Sequence, residues 1–214
     1  MLKQQGQGVD STPGVPDARS VLLDTASEIM REGDIVNVSL SELSRRSGLN
    51  SALVKYYFGN KAGLLTALIE REWSAIVKSV DLLLAKDADP ETKLRIHMAR
   101  VVDNFFRTPY VHRLLMRMIR EAAPDEAQRL ADSYLAPLLG AYETLISDGV
   151  AAGVFRPVDP QLFYFTVIGA ADRFFSARQV LRHSSGTDVL DEGLRDRYRA
   201  HLNDFVVAGI LVQR

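Results

Sequence analysis

The chain has 214 residues, no cysteine, 47% hydrophobic and 25% charged residues, and a formal net charge of −1. The length suits one large or two modest cores, and without cysteine there are no disulfides, thiolate metal sites or cysteine nucleophiles. A near-neutral total excludes a polycation, so any nucleic-acid surface must be local, and no apolar run approaches the ~20 residues that span a bilayer.

Met1 to Pro16 is polar and rich in Gly, Gln and Pro, with no hydrophobic signal region. It is expected to be a disordered arm, and the absence of cysteine suits a reducing cytoplasm. Helical periodicity begins at Asp17 and runs to Arg31, with Val21, Leu22, Ala26, Ile29 and Met30 on one face. Gly33 and Asp34 end that helix. Two short helices follow around Gly48, and Gly59-Asn60 breaks the second. A long helix then runs from Lys61 to about Ala85. Pro90 opens the next, which ends at Pro109; a shorter one covers Tyr110 to Arg120. Pro124 starts another, which Pro137 is expected to kink or divide. Two more are expected over Pro160 to His183 and Asp191 to Val212, separated at Ser184-Ser185-Gly186-Thr187. No strand-type alternation of useful length and no internal repeat occurs, so the fold class is all-α: a three-helix head joined to a larger helical body.

Residues 39–61 say most about function. They hold Arg45, Arg46, Lys55 and Lys61 against the single acid Glu42. Ser39 is placed to cap the first short helix. Gly48 suits a tight turn, with positive φ at low cost. Leu43, Leu49, Val54 and Phe58 are expected to lock the pair against Val21, Leu22, Ala26 and Ile29. The second helix is too short and too polar for an ordinary core helix. Asn50 and Ser51 start it, and Ser51, Ala52, Lys55 and Tyr56 are expected to face outward. Small side chains at Ser51 and Ala52 allow close approach to base edges, and Ala52 can touch a thymine methyl. Tyr57 and Lys61 are expected on phosphates, Lys61 at a helix N-terminus that attracts anions. Arg46 serves a phosphate or is simply solvated. This is the make-up of a helix-turn-helix whose second helix enters a major groove.

The spacing Gly33, Ser39, Leu43-Ser44, Ser47-Gly48-Leu49-Asn50, Val54-Lys55, Tyr56, Tyr57-Phe58, Lys61 and Leu64-Leu65 resembles the tetracycline-repressor (TetR) family of one-component transcription regulators. The match spans Asp17 to Glu70. Lys55 stands where the family usually has Tyr, and Tyr57 where it usually has His; both keep a donor for phosphate. Base specificity does not carry over at these positions.

A helix-turn-helix that reads an operator generally needs a twofold partner, because one short helix reads few base pairs. The last helices carry too much apolar surface for one face. The resemblance implies a four-helix dimer interface there, with Phe163, Gly169, Ala170, Phe174, Phe205 and Gly209 as candidates; burial within one chain is the alternative. The resemblance also implies an inducer pocket among the middle helices. Candidate lining comprises His97, Met98, Asn104, Phe105, Met116, Arg120, Tyr142 and Phe165, although Met and Phe at helical spacing serve a plain core equally well. Arginines at 113, 117 and 120 favour an anionic ligand or are solvated.

The four histidines lie far apart and lack ligand-type spacing. No nucleophile elbow, phosphate loop or dinucleotide fingerprint occurs. No metal, cofactor, catalytic activity or membrane partner is expected. The expected organisation is an arm (1–16), a helix-turn-helix DNA-binding domain (17–62) and a ligand-binding and dimerisation domain (63–214). The expected protein is a cytoplasmic homodimeric repressor on a palindromic double-stranded DNA operator, released by a small molecule of unknown identity. A regulator or activator without a small-molecule inducer is the alternative.

Overall fold

The structure, a computed structural model, describes residues 17–33, 35–186 and 191–212; the arm expected over Met1 to Pro16 lies outside them. The described elements are helices: α1 (Ala18–Gly33), α2 (Leu40–Ser47), α3 (Ala52–Phe58), α4 (Lys61–Leu84), α5 (Pro90–Arg107), α6 (Val111–Glu121), α7 (Pro124–Leu130), α8 (Ala136–Ala151), α9 (Pro160–Ser176), α10 (Arg178–Ser185) and α11 (Glu192–Ile210). A wider π turn, Ala131–Leu135, joins α7 to α8. In place of strands, the described residues show a single antiparallel bridge between Phe155 and Leu211.

Local chemistry sets most helix starts. Asp89 accepts from the backbone N–H of Thr92 before α5, and Pro90 fills the first helical position. Asp159 caps α9 in the same way, again followed by proline. Asp191 accepts from Gly193 and Leu194 at the start of α11. The expected disturbance at Pro137 is present as the π turn just before it. Widening the helix there relieves the clash of the ring with the preceding turn. The Trp73 indole N–H donates to the carbonyl of Tyr134 in this turn at 2.7 Å, so the irregular stretch is also where α4 is tied to the body.

One expected boundary is corrected. The helix expected over Pro160 to His183 ends at Ser176 and resumes at Arg178, with Ala177 at φ −87°, ψ 15° between them. Ser176-Ala177-Arg178 contains neither glycine nor proline. The break follows the last anchored aromatics, Phe174 stacked on Tyr198 at 3.7 Å and Phe175 against Phe105, which are tertiary contacts without a local signal.

The buried apolar set is continuous from the head into the body. Leu22, Ala26 and Met30 of α1, Leu43 of α2 and Val54 of α3 join Leu64, Leu68 and Ile69 of α4. The same set continues through Leu94, Met98 and Val102 of α5 to Leu114, Tyr142, Val167 and Val207. Polar ties also cross from head to body: the Tyr110 hydroxyl donates to Ser27 Oγ at 2.7 Å, and Arg71 of α4 pairs with Asp24 of α1 at 2.7 Å.

Candidate functional site

The turn between α2 and α3 has the geometry that the residues suggest. Gly48 adopts φ 70° and donates its N–H to the Ser44 carbonyl at 3.0 Å, closing α2 with a left-handed residue. Leu43 and Val54 are fully buried, and Leu49 and Phe58 pack partly buried against the same core. The Arg19 guanidinium lies 5.3 Å from the centre of the Phe58 ring, on its face. With its inner side held by Val54, α3 presents Ser51, Ala52, Lys55 and Tyr56 to solvent; Tyr56 is 79% exposed. Asn50 Oδ1 accepts from the Ala52 N–H at 2.8 Å and so caps the start of α3.

Three of the residues expected to contact DNA differ in detail from expectation. Ser39 precedes α2 but makes no side-chain cap; its hydroxyl meets Ser41 Oγ at 2.7 Å, a neighbour that takes the bond meant for the helix end. Arg46 holds both oxygens of Glu32, at 2.6 and 3.1 Å, with Glu28 at 3.6 Å. Its charge therefore clips α2 to α1. Tyr57 is partly buried and meets Tyr56 edge-on at 4.9 Å. Lys61 stands at the first turn of α4, where Asn60 Oδ1 accepts from the Gly63 N–H at 2.9 Å.

Twelve residues further along, the same α4 forms one wall of a narrow, partly open chamber of about 50 Å³ in the body. Trp73, Ile76 and Val80 face it from α4, His97, Arg100, Asn104 and Phe105 from α5, and Tyr142 and Tyr164 from α8 and α9. The walls are almost wholly apolar, yet both ring nitrogens of His97 and the hydroxyls of Tyr142 and Tyr164 have no hydrogen-bond partner. All three residues are at most 3% exposed. Burial holds the Tyr142 phenol well above its ordinary value and pushes that of Tyr164 up to about 12. Burial, with the nearby Arg100 charge, pushes the His97 imidazole down to about 4.

That shift gives a stability test. Unfolded His97 takes its proton near pH 6.5 and folded His97 only near pH 4. The unfolded chain therefore binds more protons between these values, and stability falls as pH drops through that window. The full span corresponds to about 3 kcal/mol. His97→Phe should flatten the dependence of Tm on pH between pH 4 and 6.5 compared with the native chain; parallel curves would contradict the burial of a neutral imidazole.

A wider polar cleft of about 740 Å³ adjoins the chamber and shares Ile76, Ser79, Arg100, Asn104 and Thr108 with it. Four of the expected lining residues, His97, Asn104, Phe105 and Tyr142, are thus brought together. The other four lie outside the chamber lining. Met98 is fully buried in the core beside the chamber, because it lies on the flank of α5 next to His97. Met116 and Arg120 line a separate shallow pocket with Val36 and His112. Phe165 is 55% exposed, because Tyr164, Val167, Ile168 and Ala171 take the inward face of α9. Trp73, Arg100 and Tyr164 were not expected. The stripe 97, 100/101, 104/105, 108 on α5 is a helical face visible in the sequence, and Arg100 could have been found on it; no comparable local signal marks Trp73 or Tyr164.

The outer side of the body divides the expected interface residues. Gly169, Phe205 and Gly209 are exposed, Phe205 to 71%, together with Leu162 at 67%. Phe163 packs against Tyr142 at 6.1 Å and Phe174 stacks on Tyr198. Ala170 is partly buried and its carbonyl accepts from the Tyr198 hydroxyl at 2.8 Å. An apolar groove lies between α9 and α11, with Leu162, Thr166, Phe205, Ala208 and Gly209 on its edges. Among the described residues no group of three or more potential metal ligands occurs, and no helix is long and apolar enough to cross a membrane.

An outward-facing second helix on a three-helix head, carried by a larger all-helical body, defines a helix-turn-helix transcription regulator. The family profile described as bacterial regulatory proteins, tetR family, matches residues 22–68, and that described as tetracyclin repressor-like, C-terminal domain, matches residues 87–214. The chain belongs to the TetR family of transcriptional regulators. It is similar to the HTH-type transcriptional repressor NicS of Pseudomonas putida, with 21% identity over 194 residues, 90% of this chain and 92% of the relative. Its fold is also that of a transcriptional regulator from Saccharomonospora viridis in complex with choline (TM-score 0.66, 22% identity, 92% of this chain and 98% of that one). A second similar structure is the transcriptional regulator FadR from Bacillus subtilis in complex with stearoyl-CoA (TM-score 0.61, 17% identity, 89% and 98%).

Proposed function

We propose that this protein is a cytoplasmic, homodimeric repressor whose hold on a palindromic operator is relieved when a small molecule enters the body. The observation that carries this reading is the reach of α4. It begins beside the exposed face of α3 at Lys61 and forms a wall of the buried chamber with Trp73, Ile76 and Val80. A ligand that separates the chamber walls displaces the helix on which the head is seated. Two recognition helices in a dimer must sit about 34–36 Å apart to enter successive major grooves, so a small tilt lowers affinity. The ligand must favour one arrangement over the other to act at all. The named repressor among the relatives and the two ligand complexes among the similar structures support the same reading.

DNA readout is assigned to Asn50, Ser51, Ala52, Lys55 and Tyr56, with Ser39, Tyr57 and Lys61 on the backbone. Footprinting on the upstream DNA of the gene, with and without candidate ligands, tests the whole scheme. Protection of an inverted repeat that a bound ligand removes is expected. Equal operator affinity with and without bound ligand defeats the switch, and the regulator without an inducer then stands, a reading that the small volume of the chamber favours.

The dimer surface is assigned to the exposed strip of Leu162, Phe165 and Gly169 on α9 with Phe205 and Gly209 on α11. Size-exclusion with light scattering should show a dimer at micromolar concentration. Phe205→Arg should give a monomer with operator affinity reduced at least a hundredfold, since one head reads too few base pairs. A native monomer would overturn the assignment.

A further inference from the structure

We infer that the chamber takes a small aromatic monoanion: a planar ring among Trp73, Phe105, Tyr142 and Tyr164, with its carboxylate on Arg100. The inference rests on the ligand-responsive reading above and names the chemistry of its ligand.

Arg100 carries the argument. It is partly buried and lines both the chamber and the adjoining cleft. One of its nitrogens donates to the Ser79 carbonyl at 2.6 Å. Among the described residues no carboxylate lies within ion-pair distance of it, and the acids that share its cleft are engaged elsewhere. Asp103 faces Arg195 and Arg199 at 4.0 and 3.5 Å, Glu72 holds Arg71 at 2.7 Å, and Glu192 lies 3.8 Å from Arg195. A guanidinium has five donors in a fork that matches a carboxylate. Most of that fork is left over, beside a chamber with no other fixed charge in its lining. A cation there would meet Arg100 in a site of low dielectric, where repulsion is strong.

The rest of the lining describes the body of the ligand. Flat rings from α4, α5, α8 and α9 suit an aromatic plane. His97 stays neutral at pH 7, so it offers one donor and one acceptor without a second charge. With the Tyr142 and Tyr164 hydroxyls it supplies three buried polar groups that lack partners in this structure. An orphaned buried polar group is costly when left unmatched, so a ring substituent that bonds to them is favoured over plain hydrocarbon. At about 50 Å³ the chamber holds little more than water. An aromatic acid must therefore part the walls, Trp73 of α4 included.

Trp73 is the sole tryptophan of the chain and lies in the chamber wall, so its fluorescence reads occupancy directly. Benzoate, benzamide and benzylamine, which share a ring and differ in charge, are titrated into the millimolar range at pH 7.5, with operator binding followed by anisotropy on the same samples. Benzoate should give a saturable change with at least tenfold higher affinity than benzamide, and benzylamine none. Arg100→Gln should remove that preference and Arg100→Lys should keep it; the Lys variant and the native probe series each decide the matter if the Gln variant misfolds. Equal binding of benzoate and benzamide, or binding of benzylamine, overturns the anionic class and leaves a ligand-responsive regulator in place if operator is released. Silence with all three probes overturns the aromatic anion, while the operator signal separately reports whether the regulator reading survives.

Discussion

Replacing Lys55 and Lys61 together by Ala should weaken operator binding and flatten its dependence on salt. Lys55 is exposed on the outer face of α3, and Lys61, half-buried, sits at the first turn of α4, the two positions assigned above to base and phosphate contacts. Each phosphate contact that is lost releases one fewer counterion, and the slope of log K against log salt becomes shallower by about 0.9. The pair should therefore change it by about 1.8. Affinity should drop by roughly ten- to a hundredfold for each lysine, since a hydrogen bond to a charged group contributes roughly 1.5–3 kcal/mol. Fluorescence anisotropy between 50 and 200 mM salt measures both quantities. If Lys55 reads a guanine edge, its single variant loses sequence discrimination as well as affinity. An unchanged slope in the double variant removes both lysines from the interface. Arg46 provides the contrast: its guanidinium is committed to Glu32 and Glu28.

Gly63→Ala should disable the head by a different route. Gly63 lies in the first turn of α4, directly against the end of α3. A Cβ there would fall 2.0 Å from the Phe58 carbonyl oxygen and 3.1 Å from its carbon. Both are backbone atoms, so no side chain can swing aside. The recognition helix must shift away from α4 or the turn must open, and overpacking of this kind costs roughly 1–3 kcal/mol. Gly140→Ala in α8 is the control. Nothing lies within 4 Å of its added methyl, and replacing a mid-helix glycine by alanine gains roughly 0.5–1 kcal/mol. Thermal melts and operator titrations of the two variants should move in opposite directions in stability, with only Gly63→Ala losing at least tenfold in operator affinity. A Gly63→Ala protein that melts and binds as the native one would refute the contact between α3 and α4.

The head was legible because its signals are local. Gly48 adopts the positive φ that its place in the turn suggests, and the burial of Leu43 and Val54 follows from helical spacing within a few residues. The exposed face of Ser51, Ala52, Lys55 and Tyr56 follows from the same spacing. Even here one side chain escaped: Ser39 has the right type for a cap, but the nearer Ser41 hydroxyl competes for it. Proline signals placed α5 and α9 and the irregular turn before Pro137 for the same reason.

The chamber is a different kind of feature, because its walls come from helices far apart in the chain. Met98 and His97 are adjacent and equally plausible as lining, yet only His97 faces inward, through the rotation of α5 against α4 and α8. Phe165 and Tyr164 exchange roles likewise, the expected one outside and the unexpected one within. Arg100 shares a sequence stripe with His97 and Asn104, but its position beside the chamber, with no carboxylate within ion-pair distance among the described residues, exists only once α4 and α5 are packed. Residue order and periodicity therefore decided which segments coil and what the recognition helix shows to solvent, since hydrogen bonds and apolar repeats within a few turns govern both. The inward face of each body helix, and with it the character of the chamber, was decided by long-range packing, because burial is shared among helices and no segment settles its own rotation alone.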